Sequence, residues 1–358
     1  MNIKKITGSQ IMLPLIALLA LVVFNLLWDP SFFAVSLGYN NAGNPILNGN
    51  LITILDYGSE LAILSLGMTL VTAASGGQDI SVGATIAIAG SVILRIIRGN
   101  EVNVNQMNGS LLVAFLVAIL ASALVGSFNG ALVSFFKVPP MVATLIMFTA
   151  GRSIAGWINN YENIFIGDAN FRIYGGVIPG FPVPTAIIIA VICIIVTGLI
   201  LKFTTIGLYS QAVGINEKSA KLNGINPIAI KFISFVFLGV CCAVCGLIQT
   251  SRLGTINYSN ISLNVEMDAI LAVALGGNAL GGGKFNMASS ILGAYIIQFL
   301  TVTLYTLEVP STDISAYKAV VVIILVVISS PVVTQKINEY KRRKQARIAG
   351  RKEGAKNE

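Results

Sequence analysis

The chain has 358 residues, of which 55% are hydrophobic and only 11% charged, and its mean hydropathy is +0.82. Soluble domains carry about a quarter charged residues, so the composition is that of a membrane protein and leaves no room for a separate soluble catalytic domain. Histidine is absent and the net charge is +8, which removes the commonest metal ligand and the usual physiological proton carrier; much of the positive excess lies in the tail from Lys336 to Lys356, behind an apolar run, where it reads as a membrane anchor facing anionic lipid and needs no nucleic acid.

Met1–Gln10 carries Lys4 and Lys5 and leads into the apolar run Ile11–Trp28. That run is too long for a signal-peptide core, and Trp28-Asp29-Pro30 is a poor cleavage site, so it reads as a retained first span starting inside. Apolar runs of spanning length predict an all-α polytopic membrane protein with about ten transmembrane helices, near 11–28, 51–75, 82–98, 111–136, 139–158, 183–201, 232–251, 266–281, 287–306 and 316–334. Residues 1–334 then form a single transmembrane domain containing the polar loop 203–230, and residues 335–358 a basic cytoplasmic tail.

Lysine and arginine placement orients the spans. With both termini cytoplasmic, the inner loops hold Lys137, Lys202, Lys218, Lys221, Lys231 and Lys284, while Asp29, Glu101, Glu162, Asp168, Glu308 and Asp313 collect outside. The two longest outer loops, 29–50 and 159–182, are long enough for docking surfaces, re-entrant pieces or loosely ordered cover.

Gly76-Gly77-Gln78-Asp79-Ile80-Ser81-Val82-Gly83 places an ionisable group between two apolar spans. Paired glycines permit a helix break, and exposed backbone polar groups at membrane depth need cover from protein or water. Asp79 can cap the following helix, with Ser81 nearby; the plainer reading is such a capped helix start, the functional one a flexible element beside a permeation path or a partner. Asn129, Thr144 and Arg152 are the polar residues expected to face inward. Gly76, Gly77 and Gly83 recur 200 residues later as Gly276, Gly277 and Gly283, a weak repeat for which chance in a glycine-rich chain is the competing account. The second segment, ending in Gly283-Lys284, fails as a phosphate loop because Asn278 and Phe285 stand where Gly and Ser or Thr are required. Glu266 and Asp268 open the eighth span near the outer face, where the helix dipole favours acids. Gly76, Gly77, Gln78, Asp79, Ser81, Asn129, Thr144, Gly276, Gly277 and Asn278 are therefore the candidates for a translocation path or gate.

Cys193, Cys241, Cys242 and Cys245 all lie in apolar runs; the CxxC pair lacks both basic neighbours and a second ligand pair, so it reads as helix packing. No nucleophile–base pair and no metal constellation is visible. Between the sixth and seventh spans, Asn216 can cap a short helix carrying Glu217, Lys218 and Lys221, with Gly224 as its stop. About two turns are too few for stability in water on propensity alone, so this is either a solvated loop helix or a knob gripped by a partner.

Four ordered stretches, LAILSLGMTLVTAASGGQDISVGATIAIAG, VPPMVATLIMFTAGRSIAG, QAVGINEKSAKLNGIN and MDAILAVALGGNALGGGKFN, make the chain resemble the permeases of bacterial ABC sugar importers. The resemblance is to the ribose-type branch, nearest the galactofuranose permeases, and runs from about Pro45 to Val332. The first stretch departs from the family's G-G-I-D-L-S-V-G at Gln78 and Ile80. The resemblance implies the ribose/vitamin-B12-type importer permease architecture in the plasma membrane, and alternating access by a permease dimer, with itself or a paralogue. It implies a coupling helix at Gly214, Asn216, Glu217, Ala220, Lys221 and Gly224, with Ala220 allowing close approach to an ATPase and Glu217 meeting a basic groove residue. It further implies ATP and magnesium held by that ATPase rather than by this chain, and an extracytoplasmic binding protein delivering a monosaccharide of galactofuranose, galactose or pentose type. The rival class is an ion-coupled secondary transporter, for which Asp56, Glu60 and Asp79 are the available acids.

Overall fold

The computed structural model describes residues 11–39, 43–99, 101 and 103–329; Lys4, Lys5, the chain termini and the basic tail fall outside them. The chain divides into two compact units, Met1–Glu308 and Val309–Glu358. Within the second, the described structure centres on one apolar helix, Ile314–Ser329, over the first part of the run expected at 316–334.

The first unit is organised around a helix pair. Helix α2 (Asn50–Ser75) is buried without interruption from Gly58 to Ala74, as expected of a helix apolar all round and packed on every side. It packs against α10 (Pro227–Leu253), α12 (Met287–Thr306) and α7 (Thr185–Phe203). Helix α10 also lies along α4 (Leu111–Ser134). Gly126 and Gly239 bring the backbones of that pair together, a Cβ on either meeting the other helix's main chain at Phe235 O or Ser122 O. Small residues allow this close packing where no hydrophobic effect separates helix from lipid. Helices α1 (Met12–Trp28), α3 (Val82–Arg98) and α5 (Pro140–Ile158) complete the long elements. Among them α1 is pinned to α12 by Asn25 Nδ2 donating to Thr303 Oγ1 at 2.9 Å.

Among the described residues, six helices, α2, α4, α5, α7, α10 and α12, are long and apolar enough to cross a membrane. Most expected boundaries hold within two or three residues. Three expectations change. Helix α10 starts at Pro227, because Asn226 caps the N–H groups of Ile228 and Ala229 and proline fits the first turn. A further helix, α8 (Ile206–Ile215), precedes the short α9 (Glu217–Leu222) where only the latter was expected. The run expected at 266–281 yields only α11 (Val265–Leu275), which stops at Gly276.

The fold is mainly helical, with two small sheets that correct a strict all-α reading. Strands β1 (Ser36–Tyr39) and β2 (Pro45–Asn48) pair antiparallel. Strands β3 (Asn103–Val104), β4 (Ile164–Ile166) and β5 (Thr255–Ile256) form a second sheet, parallel then antiparallel. That sheet joins three loops expected on one side of the membrane. Leu47 N–H donating to Pro182 O at 3.0 Å and Arg98 paired with Glu162 at 3.2 Å add the remaining long loops to the same end. The alternation of loop ends read from the spans is thus present; the loops 29–39, 43–50 and 159–182 are ordered cover with strand structure and the short helix α6 (Ala169–Arg172).

Candidate functional site: three loops meeting at one end of the bundle

At the opposite end, the three motifs singled out in the sequence converge on the last turn of α2. Gly76 terminates that helix in the left-handed region (φ 69°), its N–H bonded to Thr72 O. Gly283, also at positive φ, donates to Ala73 O at 3.0 Å. A Cβ on Gly76 would sit 3.0 Å from Gly281 O, and one on Gly282 2.9 Å from Gly76 Cα. Gln78 Nε2 donates to Leu280 O at 2.8 Å. Gly214, next to last in α8, presses its backbone against the same place, since a Cβ there would strike Ala73 O and lie 2.5 Å from Gly283 N. The 200-residue recurrence of glycines is therefore a contact between two loops. It is not a repeat of conformation: Gly76 caps left-handed while Gly276 is right-handed (φ −62°), and positive φ falls on Gly277 and Gly283 but not on Gly77 or Gly83.

Asp79 lies buried under this junction. Its Oδ1 accepts the backbone N–H and the hydroxyl of Ser81, both at 2.7 Å, and its Oδ2 accepts from Asn129 Nδ2 at 3.2 Å. Asn129 also donates to Ser81 Oγ at 2.8 Å. Burial raises the Asp79 carboxyl above its ordinary pKa, with the Ser81 and Asn129 bonds opposing. Thr144 accepts the Ile80 N–H at 3.1 Å, tying the loop to α5. Asn278 holds the other loop: its amide donates to Ser290 Oγ at 2.7 Å and its oxygen accepts the Asn286 N–H at 2.6 Å. Gln78, Asp79, Ser81, Asn129, Thr144 and Asn278 are all buried, bonded to one another or to neighbouring backbone. Asn129 Oδ1 has no partner among the described residues, so a flip of that amide can serve an asparagine at position 79. Asp79→Asn is expected to cost less than about 1 kcal/mol, whereas Asp79→Ala strands the Ser81 and Asn129 groups and is expected to cost about 2–3 kcal/mol, read by thermal unfolding in detergent.

Asn216 caps α9, its side chain accepting the Ser219 N–H at 3.0 Å, and Gly224 (φ 80°) ends the turn, as the sequence predicts. Two side chains point differently from expectation. Ala220 is 4% exposed and packs on Ala74, Val213 and Ile230 of the bundle itself, so it seats α9 on its own chain. Glu217 is paired with Lys231 Nζ at 2.6 Å rather than left open. What α9 offers outward is Lys218, Lys221 and, above all, Leu222, which is 89% exposed. Neither the hydrophobic pattern nor the capping signal distinguishes Leu222 from Ala220; only the packing does.

Two polar constellations escape the sequence reading. Arg152 does face inward, and its guanidinium gathers the carbonyls of Tyr258, Ser259, Ile261 and Ser262 at 2.9–3.4 Å. These belong to the segment after β5, which runs down beside α3: Gly90 faces Ile256 and Ile261, and Gly83 faces Ser262 and Glu266. Irregular backbone at this depth is tolerated because Arg152 supplies the donors. Glu266 accordingly starts α11 deep in the bundle, beside Gly83, and not near the outer face. The second constellation is Arg252 of α10, bonded to Glu60 and, at 2.9 Å, to Asp56, with the Tyr57 ring 4.2 Å from its carbon centre. The i, i+4 spacing of Asp56 and Glu60 places both on one helix face and was the available signal; the partner 196 residues away was not.

A bundle of apolar helices tied at one end by glycine loops, with a capped knob standing out from it, has the makeup of a multi-pass membrane protein. The chain belongs to the family described as branched-chain amino acid transport system / permease component, whose profile matches residues 50–330. It is similar to the fructose import permease protein of Bifidobacterium longum, 35% identical over 334 residues covering 92% of this chain and 90% of that protein. It is equally similar, at 35% over 316 residues and 88% of both chains, to the galactofuranose transporter permease protein of Escherichia coli. The ribose import permease protein of Escherichia coli is 34% identical over 319 residues, 88% of this chain and 92% of its own. No solved structure matches. The chain is thus a multi-pass protein of the bacterial plasma membrane.

Proposed function

We propose that this chain is the permease subunit of an ATP-driven importer that moves a monosaccharide inward from an extracytoplasmic binding protein. The observation that carries the proposal is α9: a capped two-turn helix seated on the bundle through Ala220 and linked through α8 and Gly214 to the loops at the end of α2, with Leu222 projecting away. Force applied at Leu222 has a continuous packed route to Gly76 and Gly283. An exposed leucine next to Lys218 and Lys221 is the chemistry of an anchor for a partner with an apolar groove that carries acidic groups. The ATPase would hold ATP and magnesium, and a second permease, identical or paralogous, would complete a two-fold gate. The names of the relatives support a sugar as cargo. On this reading α1, α3, α11 and the helix Ile314–Ser329 would join the six long helices as the ten membrane segments expected, with α11 a short one and α9 on the cytoplasmic side. The alternative, ion-coupled transport, would need Asp56, Glu60 or Asp79 to take up a cation, yet each is already engaged by Arg252, Gln249, Ser81 or Asn129.

In proteoliposomes, labelled monosaccharide is expected to accumulate only when the partner ATPase, the binding protein and ATP are all supplied. Uptake by this chain alone on an ion gradient would overturn the proposal. Leu222→Asp is expected to weaken ATPase association by about 2 kcal/mol or more, some thirtyfold in affinity, measured by co-purification titration.

A further inference from the structure

Helix α7 packs against α2 yet is the least buried of the six long helices. Between it and the α4–α10 pair opens a cleft of 390 Å³. Its walls include Phe115 of α4, Ile189 and Cys193 of α7, and Val244 and Leu247 of α10, with Tyr174 from the loop ahead of α7. These positions lie toward the end of the bundle that carries the second sheet, away from α9. At about 1.5 Å per residue, Cys193 sits about 12 Å along from the start of α7, and Leu247 about 9 Å back from the end of α10. One leaflet's hydrocarbon is about 15 Å deep, so the cleft runs through most of one leaflet. Arg172 stands above it. Gly254 follows Leu247 by seven residues and so lies two turns higher on the same side of α10. The Arg172 guanidinium rests over Gly254 and beside the Phe165 ring. Arg172 is exposed, and among the described residues no carboxylate pairs with it. Asp168, at the start of α6, accepts the Asn170 and Met107 N–H groups instead.

We infer that this cleft holds one acyl chain of an anionic phospholipid whose phosphate sits on Arg172. An acyl chain is the apolar body that surrounds α7 in a bilayer, and an arginine without a carboxylate forms charge-assisted bonds to phosphate oxygens. Tyr174 suits the level between chain and phosphate, because tyrosine favours the headgroup boundary. A helix of a second copy fits the cleft less well. Contacts between membrane helices are made through small residues, whereas the rim here offers Leu112 and Ile192, both exposed. Lodged in the cleft, the acyl chain supplies the packing that α7 lacks on this side. The inference is independent of what the protein transports.

The test places the full chain in nanodiscs of equal parts phosphatidylglycerol and phosphatidylcholine, then counts by native mass spectrometry the lipids retained after transfer to detergent. Wild type is expected to keep one lipid, with phosphatidylglycerol favoured about fivefold, the preference one arginine near a membrane surface confers. Arg172→Gln is expected to abolish the preference while one lipid of either kind stays bound, and Arg172→Lys to keep most of it. Cys193→Phe and Val244→Phe fill the cleft from two different helices, and each is expected to lose the retained lipid; thermal unfolding shows which of them folds as wild type does. No lipid retained by wild type, a preference that survives Arg172→Gln, or retention unchanged in the filling variants overturns the inference. So does oxidative crosslinking of Cys193 to Cys193 between two wild-type chains, which would show a second copy seated over the cleft. Each of these results leaves the importer reading as it stands.

Discussion

Gly214→Ala is expected to be the most damaging single methyl group that can be added to this protein. The new Cβ would meet Ala73 O and Gly283 N, and the latter is already bonded to the former at 3.0 Å. Both obstacles are backbone, so no side-chain rotation relieves the overlap; either α8 lifts away or the Ala73–Gly283 bond breaks. Overpacking of a tight contact costs about 1–3 kcal/mol, and a lost buried backbone bond adds to it. The functional loss should exceed the loss of stability, because α8 connects α9 to the end of α2. The measurement is thermal unfolding alongside sugar-stimulated ATP hydrolysis in the assembled complex. Gly198→Ala in α7 is the control, since nothing lies within 4 Å of the added Cβ, and it is expected to stabilise by up to about 1 kcal/mol through helix propensity. If Gly214→Ala and Gly198→Ala behave alike, the packing of α8 on the α2 loop is not as described.

The second large effect concerns the charges around Arg252. Its side chain is 15% exposed, those of Asp56 and Glu60 16% and 8%. Arg252→Met leaves two carboxylates facing each other with no counter-charge, and breaking a buried pair in this way costs about 3–5 kcal/mol. Combining Arg252→Met with Asp56→Asn and Glu60→Gln removes the stranded charges and is expected to recover most of that cost, because an ion cluster replaced as a unit is close to neutral in stability. Thermal unfolding in lipid nanodiscs reads both variants. A triple variant no more stable than the single one would show that the three residues do not act as one electrostatic unit.

Much of the long-helix layout was legible because it depends on local chemistry. Uninterrupted apolar runs marked α2, α3, α5 and α12 nearly to the residue, since a run's length and its flanking polar residues are properties of the chain alone. The turn at Asn216 and Gly224 was legible for the same reason: a cap is a bond between residues three apart, and a stop is a backbone conformation that glycine reaches without strain. Helix α11 was misjudged because its apolar run continues into Gly276-Gly277, and hydropathy does not register where a chain enters the bundle. Ala220 and Leu222 sit two residues apart in one short helix, and no periodicity over six residues says which side meets the bundle.

The amino-acid sequence by itself determined that this is a multi-pass membrane protein, where most of its long helices run, and that a capped polar knob follows the sixth apolar run. These rest on hydropathy, cap chemistry and backbone freedom, all of which act within a few residues. The tertiary structure alone decided that the two glycine loops and Gly214 share one junction, that Arg152 supports a descending strand of carbonyls, and that Arg252 joins acids from a helix nearly 200 residues away. Those are pairings between partners remote in the chain, and their strength comes from burial, which exists only once the helices have packed.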